Sequence, residues 1–226
     1  MTRGILIVGN ESTTLTAVSA SAHARVESIV KAVVPARLGE QRNPPSAPAG
    51  KNPDTVLVWN PASPVSARTL VVGAENRMGK IDEAILVCVP PAIRRRADEL
   101  VPAEIDILID DLVKGWFLVV RELAVVFRTR KSGTLTLVLS EGGLGGGKDD
   151  APDLFGCTVA ASFRAFAQGL LAASFKEPYR VFAFSTAEAG EDAAFADFIF
   201  KTMEDDGKRG AGKWHKFGKG GLFGLL

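Results

Sequence analysis

The sequence predicts a single doubly wound α/β domain, an open and mostly parallel sheet with helices on both faces. Three observations predict it. Short, continuous apolar runs such as residues 5–8 and 84–89 recur along the chain and stop at glycine, asparagine or proline, as strands buried on both faces do. Longer segments with apolar residues at helical spacing alternate with those runs. No internal repeat is visible, so one sheet with helical crossovers accounts for the alternation.

Taken in order, residues 5–8 form a buried strand that turns at Gly9 and Asn10. Residues 13–31 are compatible with a helix, with Leu15, Val18, Ala22, Val26, Ile29 and Val30 on one side. A poor second strand over 33–38 is interrupted by Pro35, and the prolines of 39–54 (Pro44, Pro45, Pro48 and Pro53) make that stretch a loop. Residues 55–59 read as a strand closed by Asn60 and Pro61, and 64–78 as a helix. A strand over 84–89 is stopped by Pro90 and Pro91. The longest helix spans 104–128, and Lys131-Ser132-Gly133 turns the chain into a strand over 134–139. A glycine-rich loop at 141–152 precedes an alanine-rich helix over 154–175. A strand over 179–184, a helix over 192–203 and a short strand over 213–217 complete one domain, 1–226.

Composition narrows the function classes. The chain has 226 residues, 46% of them hydrophobic, and a net charge of +1, so no global field favours nucleic acid or an anionic membrane. No run approaches the ~20 apolar residues of a membrane span. Cys88 and Cys157 supply neither a disulfide framework nor metal-ligand spacing, so no metal is expected and a reduced, cytoplasmic setting is.

Six segments then carry a family resemblance in order. Gly79-Lys80-Ile81-Asp82 before an apolar strand, and Asp110-Asp111-Leu112-Val113-Lys114-Gly115-Trp116-Phe117-Leu118 in the long helix, are similar to segments of short-chain dehydrogenases/reductases. So are the basic turn at 128–133 with its strand to Ser140, the small-residue helix at 160–170, the strand from Tyr179 and the ending at 212–221. The resemblance implies a Rossmann-type fold that binds NAD(P).

The family's functional positions transfer unevenly. Its glycine-rich phosphate turn keeps only Gly9 here, in Gly9-Asn10-Glu11-Ser12-Thr13-Thr14-Leu15. Glycines there let the backbone approach a pyrophosphate at a helix N-terminus. Gly9, Asn10, Ser12, Thr13 and Asn60 are the candidate cofactor contacts, and Thr13 and Thr14 could donate hydroxyls to an anion. The catalytic serine corresponds to Ser140 and the helix asparagine to Asp111. The tyrosine and lysine of the acid/base pair fall on Gly156 and Ala160, or on Phe155 and Val159 one residue earlier. Only six residues, 186–191, stand where the family inserts a substrate lid. The expectation is a catalytically degenerate protein with a structural or interaction role and no cofactor. The alternative is a divergent NAD(P)-dependent oxidoreductase acting through Ser140 and Asp111.

Other patterns are weaker. Gly142 to Asp149 nearly spells a phosphate loop, but Asp149 stands where a magnesium-binding hydroxyl belongs. Ser140 with His215 lacks the nucleophile elbow, because Val138 replaces its glycine. Lys208, Arg209, Lys213, His215, Lys216 and Lys219 around Trp214 and Phe217 suit a lysine-protected edge strand better than a nucleic-acid patch. Arg94, Arg95 and Arg96 read as a solvated face. A homodimer or tetramer through helices 104–128 and 154–175 is expected, because Ile105, Leu108, Leu112, Val119 and Val126 cannot all enter one core. Trp116 and Val119 are the candidates for facing the partner. The apolar tail at 222–226 could reach a neighbouring subunit.

Overall fold

The computed structural model describes residues 3–26, 28–34, 55–144, 153–205 and 211–218. Among them, strands and helices alternate as expected: β1 (Gly4–Asn10), α1 (Thr13–His23), β2 (Ser28–Val34), β3 (Thr55–Val58), α2 (Pro64–Met78), β4 (Glu83–Cys88), α3 (Pro102–Ile109), α4 (Gly115–Arg130), β5 (Thr134–Ser140), α5 (Leu154–Ala173), β6 (Arg180–Thr186), α6 (Asp192–Asp205) and β7 (Trp214–Phe217). The seven strands form one sheet in the order β3-β2-β1-β4-β5-β6-β7, and every pairing is parallel.

Side-chain alternation sorts the strands' apolar runs into two cores. Leu6, Val8, Ala84, Leu86, Leu135 and Leu137 face a layer made by α2, α4 and α5. Ile5, Ile7, Ile85, Val87, Val138 and Phe182 face a layer made by α1 and α6. Strands buried on both faces have no polar side, which is why they read as unbroken apolar runs.

The helix expected over 13–31 stops at His23, and β2 begins at Ser28, earlier than the strand expected at 33–38. The β-branched Ile29 and Val30 pair with Ile5 and Leu6 of β1, and that ladder outweighs the local helical spacing. Residues 35–54, including the rest of that expected strand and the proline-rich loop, lie outside the described residues.

The helix expected over 104–128 is also not continuous. Pro102 opens α3, Asp110–Lys114 form one π-helical turn, and α4 then runs to Arg130. The sides of this composite helix differ from expectation. Leu108, Leu112, Trp116 and Val119 are all buried in the chain's own core, so Trp116 and Val119 do not face outward. Phe117 and Val125 do, at 56% and 57% exposure.

Strand β7 occupies one edge of the sheet. Trp214 packs on the α2/α4/α5 core while its Nε1 donates to Ser185 Oγ at 2.8 Å, and Phe217 packs on the other face. This accounts for the aromatic residues among the lysines without any nucleic-acid role; Lys208, Arg209 and Lys219 fall outside the described residues.

Candidate functional site

In this strand order the chain runs outward from β1 to β2 and β3 on one side, then crosses back to β4 and runs outward to β5, β6 and β7 on the other. A crevice opens at the carboxyl ends of strands where that happens, and it is where open α/β sheets receive ligands. The side chains at this edge come from the β1–α1 corner, the ends of β3, β4 and β5, the π-helical turn and the start of α5.

At the β1–α1 corner, Gly9 is wedged between strand and helix. A Cβ at this position would fall 2.7 Å from the Val87 carbonyl oxygen and 3.0 Å from Leu15 Cδ1. The missing side chain therefore seats α1 against β4. Ser12 caps the helix, its Oγ accepting from the Leu15 N–H at 3.0 Å. Asn10 Oδ1 is buried and has no hydrogen-bond partner. Thr13 is exposed at the open end of the helix, with Glu11 beside the turn.

Thr14 behaves differently from its neighbour. It is 2% exposed, and its hydroxyl donates to the Asp192 carboxylate at the start of α6. The hydroxyl joins the two helices of one layer, so Thr14 is no donor for an anion. Replacing Thr14 by valine should keep the volume and lose the bond, lowering unfolding free energy by ~1.5 kcal/mol. Urea denaturation checks this; a difference below ~0.3 kcal/mol would show that the bond contributes nothing.

Asn60 follows β3, but its side chain is engaged locally. Its Oδ1 accepts from Ala62 N–H at 3.0 Å and its own N–H donates to Ser66 Oγ at 2.8 Å, building the turn into α2.

On the other side of the crevice, Ser140 ends β5 at 6% exposure, and Asp111 sits in the π-helical turn. Such turns often mark functional positions because the extra residue displaces a side chain from the regular helical stripe. Gly156 is buried in the first turn of α5. A Cβ there would lie 2.4 Å from Leu144 Cδ2 and 2.6 Å from both Asp153 Oδ2 and the Pro91 carbonyl oxygen. Ala160, one turn later, is 4% exposed within the core. In the neighbouring register Phe155 packs against that core and Val159 is part of it. Neither register supplies a proton donor or a cation.

Sequence reasoning passed over Asp153. It caps α5, with Oδ1 accepting from Gly156 N–H at 2.7 Å, and it is 8% exposed with Oδ2 buried and unpartnered. A backbone bridge to Arg95 ties it to the segment after β4. An aspartate immediately before an apolar helical run is an N-cap pattern, and that signal was present in the sequence.

The remaining candidates separate in space. His215 lies on β7 and stacks on Phe184 at 5.1 Å, whereas Ser140 is two strands away on β5. Arg95 pairs with Glu104, and Arg96 with Asp98 at 3.0 Å. Of the glycine-rich loop, residues 145–152 lie outside the described residues.

No family model matches the chain, and no curated protein matches it. Solved structures do. A short-chain dehydrogenase from Bacillus anthracis aligns with a TM-score of 0.75 at 12% identity, over 99% of this chain and 98% of that one. An NADH-dependent reductase, A1-R', complexed with NAD, gives 0.72 at 15% identity over 98% and 97%. An oxidoreductase of the short-chain dehydrogenase/reductase family from Brucella ovis, in complex with a partially ordered NAD, gives 0.71 at 13% identity over 96% and 100%. The fold is therefore the Rossmann-like fold of short-chain dehydrogenases/reductases. The expectation of no cofactor is overturned by the same finding, because neighbours matched over their full length hold NAD. That expectation weighed the phosphate turn, with its lost glycines, added side-chain bulk and the charge of Glu11, whereas dinucleotide binding also draws on strand ends and a helix N-terminus.

Proposed function

We propose that this protein binds a pyridine dinucleotide at the carboxyl edge of its sheet and, as an oligomer, does not run the tyrosine/lysine hydride-transfer chemistry of its structural neighbours. The contrast between Gly9 and Gly156 carries the reading. At Gly9 the chain keeps the close strand–helix corner on which a dinucleotide rests, with the N-terminus of α1 open at Thr13. At Gly156 it has closed the space that an acid/base side chain would occupy.

The residues present suit the nucleotide. The α1 N-terminus favours a pyrophosphate through its dipole, and the Thr13 N–H and hydroxyl are placed there to hold it. Asn10 Oδ1, buried without a donor, would be satisfied by a ribose hydroxyl. When bound, the group supplies a hydride donor or acceptor. Ser140 can hold a substrate oxygen by a hydrogen bond, but no neutral phenol or ammonium stands beside it at 156 and 160 to move the proton.

Apolar surface supports the oligomer. Residues Leu154–Lys176 are long and apolar enough to pass for a membrane-crossing helix by length and composition, yet only 28% of their most apolar 18-residue window is buried. Phe117 of α4 lies against Phe166 of α5 at 4.5 Å, and Val125, two turns along and beyond the exposed Arg121, is open to solvent as well. A two-fold axis through this face would cover it with its own copy.

Titration with NADH and NADPH, followed by energy transfer from tryptophan, tests the nucleotide half of the reading. Saturable binding is expected in the micromolar range, with turnover of carbonyl and alcohol panels down by at least ~10²–10⁴ for want of the general acid. No saturable binding would overturn the proposal. So would robust turnover that is lost in Ser140→Ala, which would favour the divergent oxidoreductase.

A further inference from the structure

We draw no further inference here: the strongest candidate, the cavity of about 540 Å³ where β1, β4, β5 and β6 begin, carries nothing, because its lining charges pair with one another, Arg3 with Glu83 and Lys80 with Asp82, and the Glu83 oxygen left without a partner is itself buried from solvent, out of a ligand's reach.

Discussion

Installing tyrosine at position 156 and lysine at 160 is expected to destabilise the protein strongly, not to give it a proton relay. The Cβ of any residue at 156 would stand 2.6 Å from the Pro91 carbonyl oxygen, which is backbone and cannot swing away as a side chain can. Leu144 Cδ2, at 2.4 Å, would have to move as well. Ala160 is in the core beneath, so a lysine there would either bury its ammonium or lose it. Overpacking alone costs ~1–3 kcal/mol, and an unpaired buried cation adds several more. The double variant should lose at least ~4 kcal/mol, which for a chain of this length lowers Tm by ~8–16 °C. Thermal melts followed by circular dichroism measure it, with Gly156→Ala expected to show the smaller part caused by the Cβ alone. A double variant melting with the wild type would mean that the first turn of α5 can shift, and the contrast between Gly9 and Gly156 would then carry nothing.

Phe117→Glu combined with Val125→Glu should split the proposed oligomer into monomers of 24.0 kDa without disturbing the fold. Both side chains are more than half exposed in the single chain, so the substitutions leave its core intact. Across a two-fold face they would instead bring four carboxylates into the interface in place of its largest exposed apolar side chains on α4. Each uncompensated buried charge costs ~3–5 kcal/mol, so the dissociation constant should rise by at least ~10³. Light scattering at micromolar concentration reads the mass directly. A wild-type protein already at 24.0 kDa, or a variant that stays assembled, would rule this face out. Trp116→Glu, one residue earlier, should behave in the opposite way and fail at folding, because Trp116 is 3% exposed and meets Phe163 edge-on at 5.4 Å.

What was legible in the sequence followed from local chemistry. Ser63 capping with Pro64 in the first turn marks α2 at its true start, and the strands β1 and β4 announce themselves as apolar runs. Boundaries failed where a distant partner decided them. Ile29 and Val30 have helical spacing with Val26, yet β1 claims them as a strand. The π-helical turn at Asp110–Lys114 adds a backbone residue without a compositional mark, so it could not be read.

The candidate site divides in the same way. Gly9 and the exposed Thr13 were readable from the turn that the sequence resembles. The engagement of Thr14 by Asp192 was not, because the two are 178 residues apart. The loss of the acid/base pair was visible as Gly156 and Ala160, but only packing shows that position 156 is closed by the Pro91 carbonyl. The expectation about the cofactor failed because it weighed one loop against a binding surface that the whole strand edge provides.

The order of strands in the sheet also governs how the chain reaches it. Every partner in an all-parallel sheet lies across a crossover, and the inner strand β1 meets β4 through pairs such as Ile5 with Glu83. On the ribosome, at roughly 5–20 residues per second, β4 follows β1 by about 4–16 s. Throughout that interval one edge of β1 has no strand to receive, and its Ile5, Leu6, Ile7 and Val8 are available to other chains. Contacts so far apart in sequence also slow folding after release. Yield in the cell should therefore be set less by the stability of the finished sheet than by how long its first strand waits.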